Sequence, residues 1–79
     1  MADTYKQGTV LVVRVGIEYV NPGSGRRNRL KVGARMWTAS CNLSQLKTGV
    51  VELCGMGKPM GSGLLFPLAT VAQYFEIEN

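Results

Sequence analysis

Seventy-nine residues, 46% of them hydrophobic, with a net charge of +4, suit one small globular domain spanning residues 1–79. A chain this short buries only roughly 60% of the surface its unfolded form exposes. No run approaches the ~18 apolar residues that cross a bilayer. Met1-Ala2-Asp3-Thr4-Tyr5-Lys6 lacks the basic head and apolar run of a secretory signal. Cys41 and Cys54 are too few for a disulfide scaffold. The expectation is a cytoplasmic protein with two reduced thiols and no membrane partner.

Ten glycines and three prolines imply many turns and favour β over α. Whether residues 1–8 are ordered stays open. Residues 9–20 alternate on a period of two, which predicts one long strand with Leu11, Val13, Val15, Ile17 and Tyr19 facing the core. Gly16 marks a bulge or bend within it. Val10, Val12 and Val20 fall on the opposite face and offer apolar surface for self-association.

Asn21-Pro22-Gly23-Ser24-Gly25 predicts a loop, which the arginines extend to about residue 29. A second strand is expected over residues 30–39, with Leu30, Val32, Ala34 and Met36 on one face. Lys31, Gly33, Arg35 and Trp37 share the other. A one-residue slip would turn Trp37 inward and Met36 outward.

Residues 40–48 read as a polar connection and 48–54 as a third strand, with Val51 and Leu53 inward and Glu52 outward. The four glycines of residues 55–63 predict a flexible hairpin connection. Residues 64–66 begin a fourth strand, and Pro67 suits the first turn of a helix. Residues 68–73 allow one or two helical turns and 74–77 a last strand. A continuous helix over 67–75 is the competing assignment.

Five of the nine basic residues, Arg26, Arg27, Arg29, Lys31 and Arg35, fall in one ten-residue window that holds no acid. Such a local positive field attracts phosphates or acidic protein surfaces. The arginines can grip phosphates bidentately, and Trp37 offers a stacking platform for a base if it lies outside the core. The opposing expectation is a solvated basic loop. Met56 and Met60, flanking Lys58 on the glycine-rich loop, add adaptable apolar contacts for a protein partner.

The chain has no histidine, which excludes His-based triads and His-ligated metal sites. Cys41 and Cys54 have no activating base. Glu52, Glu76 and Glu78 are too scattered for an acid/base pair. Residues 55–63 contain Gly-Lys, but Pro59 and Glu52 stand where a phosphate loop needs Ser/Thr and Gly. The expectation is a non-enzyme without cofactor or metal.

The segment Gly63-Leu64-Leu65-Phe66-Pro67, followed by Tyr74-Phe75-Glu76-Ile77, resembles the end of an SH3-type barrel. Such barrels close with a Gly-x-Phe-Pro-like strand, a short helical turn and a Tyr-Val-like strand. The resemblance implies a mainly β fold, a five-stranded SH3-like barrel with one short helical turn before the last strand. An OB-like barrel fits the same strand–loop order. The aromatic-rich opening of peptide-binding SH3 domains has no counterpart here, and the loop that is acidic in them is basic. Proline-rich ligands are therefore disfavoured.

Three functions compete. The first is an interaction module or accessory protein, of the size used by phages and mobile elements, that grips an acidic partner surface. The second is a sequence-tolerant nucleic-acid-binding barrel that uses Arg26, Arg27, Arg29, Lys31, Arg35 and Trp37. The third is a homo-oligomer.

Overall fold

Both long strands of the sequence pattern are cut, each next to a glycine. In a computed structural model that describes residues 4–21 and 23–78, the segment 9–20 becomes β1 (Val10–Val13) and β2 (Ile17–Val20). The segment 30–39 becomes the end of β3 (Arg27–Leu30) and β4 (Arg35–Thr38). After these come α1 (Asn42–Thr48), β5 (Val50–Gly55), β6 (Leu64–Pro67), α2 (Leu68–Tyr74) and β7 (Phe75–Ile77). Pro22 lies outside the described residues, as do Met1, Ala2 and Asp3.

The architecture is mainly β. Five strands form one antiparallel sheet in the order β6-β5-β4-β1-β7, curled into a half-barrel, and β2 and β3 form a separate hairpin. Leu11, Val13, Met36, Val51, Leu53, Phe66 and Phe75 line the inner face, and Leu68 and Val71 of α2 complete the core. The hairpin packs the Ile17 and Leu30 face against that core.

The first cut has a long-range cause. The terminal carbonyls of a helix lack partners within the helix, and here the chain leaving β1 supplies them. Arg14 N and Val15 N donate to Tyr74 O at 2.8 and 3.3 Å, and the Arg14 guanidinium donates to Gln73 O. β1 therefore stops at Val13, and Val15, expected in the core, is 46% exposed. At the second cut Gly33 adopts φ 91°, a left-handed conformation that favours glycine. Its N–H donates to Val13 O, while Val13 N donates to Ala34 O, both at 2.8 Å. Val32, expected inward, is exposed on this turn.

Residues 40–48 are not an irregular connection. Seven of the nine form α1, which ends at Gly49 with φ 73°. The residue that this helix buries is polar, and its leucines are left outside. Gln45 is fully buried and clamps the N-terminal segment, accepting from Tyr5 N at 2.7 Å and donating to Tyr5 O at 2.8 Å and Ser40 O at 3.0 Å. The seven-residue α2 is longer than one turn yet shorter than a helix over 67–75. Pro67 precedes it as N-cap, and Leu68 N donates to Gly49 O.

The two buried polar side chains are expected to respond oppositely to apolar replacement. Gln45→Leu strands the backbone groups of Tyr5 and Ser40, with an expected loss of about 2–4 kcal/mol. The Thr38 hydroxyl is buried without a hydrogen-bond partner among the described residues, so Thr38→Val is expected to gain about 1 kcal/mol. Urea denaturation reads both. A loss in Thr38→Val would show that the hydroxyl is satisfied.

Candidate partner-binding surface

The basic window is divided among three structural settings. Asn21 shapes the tip of the β2–β3 hairpin. Its Oδ1 accepts from Gly23 N at 2.8 Å, its carbonyl accepts from Gly25 N, and its N–H donates to Arg26 O. Arg26 leaves this tip. Arg27 and Arg29, expected on a loop, lie in β3 opposite Val20 and Glu18, so both point to one face of the hairpin. Arg29 pairs with Glu18 at 2.8 Å. Both ends are well exposed, so the pair contributes little stability, about 0–1 kcal/mol, but it occupies the Arg29 guanidinium.

Lys31 sits in the turn after β3 and does not continue a cationic track along β4. Arg35 and Trp37 do share the outer face of β4, with Met36 inward, in the expected register. Arg35 reaches across β1 and meets Glu78 in a two-pronged pair at 2.6 and 2.7 Å. Arg26, Arg27 and Lys31 are the members of the window that make no ion pair among the described residues.

The glycine-rich connection 55–63 folds back onto the outer face of β4 and β5 and is fastened there. Glu52 Oε2 accepts from Gly61 N at 3.0 Å and Gly63 N at 3.2 Å. Trp37 Nε1 donates to Lys58 O at 3.2 Å, and the Cys54 thiol donates to Pro59 O at 3.5 Å. Gly63 is sterically required, since a Cβ there would lie 2.5 Å from Leu53 O and 2.7 Å from Cys54 Sγ. Met56 and Met60 are exposed on this strapped loop. The indole is half-buried and its N–H is already used. Sequence reasoning placed Glu52 as a plain solvent-facing residue and missed its role as the anchor of the loop.

It also missed Leu43 and Leu46, both exposed on α1 and three residues apart. Their spacing becomes legible only once the segment is known to be helical. A groove of about 330 Å³ runs between Tyr19 and Val20 of the hairpin and Gly63 with the first three residues of β6. Among the described residues no group of three or more His, Cys, Asp or Glu is placed to hold a metal ion. Nor is any helix long and apolar enough to cross a membrane. No family model, curated protein or solved structure matches this chain.

Burial, and then the neighbouring Glu52 carboxylate, raise the Cys54 thiol above its ordinary range. Cys41 is exposed. Iodoacetamide is expected to modify Cys41 alone in the native protein, and both thiols in Glu52→Ala, where the strap is released. Equal labelling of the native thiols would contradict the fastened loop. The raised thiol also carries a pH dependence. The folded Cys54 keeps its proton where the unfolded one loses it, so its contribution to stability falls as pH rises past the ordinary thiol value.

Proposed function

We propose that the chain is a non-enzymatic binding module that grips an acidic surface of a protein partner through its basic hairpin. The observation that carries this reading is the pattern of charge satisfaction. Arg26, Arg27 and Lys31 stand exposed on or beside one hairpin without an ion pair among the described residues, while Arg29 and Arg35 are matched to Glu18 and Glu78. A grouped, unpaired set of cations on a projecting element favours docking against carboxylates and speeds encounter.

The sheet order supports an SH3-like barrel as the scaffold. Counting only its five strands in chain order, they lie as fifth, first, second, third, fourth. The short helix before the last strand and the segment Gly63-Leu64-Leu65-Phe66-Pro67 agree with that arrangement. The two free cysteines fit a reducing compartment such as the cytoplasm.

Nucleic-acid binding is the weaker reading. Single-strand binders stack bases on available aromatic faces along a continuous cationic groove. Here the turn at Gly33 interrupts the track, and Trp37 is half-buried with its N–H donated to Lys58.

Fluorescence anisotropy with a labelled polyglutamate peptide and a labelled oligothymidine tests the choice. Polyglutamate is expected to bind in a salt-sensitive manner and to lose about tenfold in affinity, about 1.4 kcal/mol, in Arg26→Glu/Arg27→Glu. Lys6→Glu/Lys47→Glu should leave it unchanged. Tighter binding of oligothymidine, with quenching of Trp37, would replace this reading by the nucleic-acid one.

A further inference from the structure

Both outermost strands of the five-stranded sheet are open. β6 pairs only with β5 and β7 only with β1, and no loop or turn backbone group bonds to the outer edge of either among the described residues. Sheet edges are ordinarily blunted by charge, bulges or a covering element. β6 reads Leu64-Leu65-Phe66-Pro67, uncharged throughout, with Leu65 68% exposed. The groove between β6 and the hairpin borders this edge, and Tyr19 and Val20 on its far wall also line a recess with Arg27 and with Glu18, whose carboxylate is held by Arg29. An occupant that fits must be extended, apolar on alternate positions and acidic on the others.

The chain contains such a segment at its other open edge. β7 and the residue after it read Phe75-Glu76-Ile77-Glu78, in which Phe75 is buried in the core and Ile77, 53% exposed, is the apolar position left available. Glu78 is held by Arg35 and Glu52 by the glycine-rich loop, while Glu18 is held by Arg29. Glu76 is left as the carboxylate without a hydrogen bond or ion pair among the described residues. The unmatched acid therefore lies on one open edge, and the unmatched Arg27 lies across the hairpin from Val20, which walls the groove beside the other. β6 and β7 are also close in length, at four and three residues.

We propose that this protein assembles head to tail, with the open edge of β7 in one copy pairing with the open edge of β6 in the next. Backbone hydrogen bonds join the two edges, Leu65 and Ile77 are covered, and Glu76 comes to the Arg27 side of the hairpin. The two surfaces are different, so the contact is heterologous, and repetition gives a closed ring or an open filament. A β6-to-β6 dimer would instead leave both Arg27 and Glu76 unmatched. The edges are short, so association depends on concentration. This inference goes beyond the hairpin-docking reading and does not depend on it.

Sedimentation velocity over a range of protein concentrations tests it. The expected result is a sedimentation coefficient that rises with concentration in the native protein. That rise should be lost in Leu65→Lys and Ile77→Lys, one at each edge, so a folding defect in one still leaves the other. Glu76→Arg and Arg27→Glu should each weaken association, and the double variant Arg27→Glu/Glu76→Arg should restore it. A native protein that stays monomeric up to its solubility limit overturns the proposal. So does association that survives both lysine variants, or that is indifferent to Glu76→Arg. Polyglutamate binding by Leu65→Lys at monomeric dilution should match the native protein, which separates failure here from failure of the hairpin reading.

Discussion

The contact between Phe66 and Phe75 sets the shape of the molecule. These rings belong to the two outermost strands of the five-stranded sheet, yet their centroids are 5.7 Å apart and their planes tilted by 58°. At about 4.8 Å per strand, a flat sheet of this order would hold its edges about 19 Å apart. The sheet must therefore curl, so that the inner faces of its two edge strands turn toward each other while their backbones stay unpaired. A tilted aromatic pair contributes about 0.5–1.5 kcal/mol beyond its burial, but its geometric effect is larger. It defines the end of the barrel that α2 covers with Leu68 and Val71.

Curling explains why β1 is short. Once α2 closes the end, its last carbonyls need donors, and the chain beyond Val13 passes close enough to supply Arg14 N and Val15 N. The strand pattern of residues 9–20 continues through this point, because periodicity records which side chains are apolar and not where the backbone turns. Leu11 and Val13 meet the core as the alternation predicts. Ile17 and Tyr19 keep an inward bias on a different sheet, and Val15 is lost to the corner between them. The third strand, with Val51 and Leu53 inward, was legible because its pairing involves no such corner. α1 was not legible because Gln45 anchors it to Tyr5, forty residues away, and no local pattern records that.

The same distinction governs the site. Grouping of basic residues is a property of sequence, whereas their availability depends on partners distant in the chain. Arg35 and Glu78 are forty-three residues apart and Arg29 and Glu18 eleven. Counting charge along the chain correctly located the positive segment but overstated how many cations it leaves free. The glycine-rich loop erred in the opposite direction, since its composition suggests mobility. Glu52, Trp37 and Cys54 fasten it from the strands beneath. Backbone N–H groups in a glycine-rich turn need acceptors, and one carboxylate supplies two of them here.

Of the four described carboxylates, Glu18 and Glu78 are spent on cations and Glu52 on the loop, so the net charge of +4 is not spread evenly. Among the described residues, three of the cations without an ion pair, Arg26, Arg27 and Lys31, are grouped on or beside the hairpin, Lys6, Lys47 and Lys58 are scattered, and Glu76 on β7 has no ion pair. The fold thus turns a simple excess of basic residues into a directional arrangement, with a cationic flank beside one open edge and an acid on the other. A field of this kind orients an approaching molecule before contact is made, and it falls off over about 10 Å at moderate salt. Since the molecule measures 30 × 25 × 24 Å, the field at the hairpin tip is largely screened before it reaches the far side of the domain.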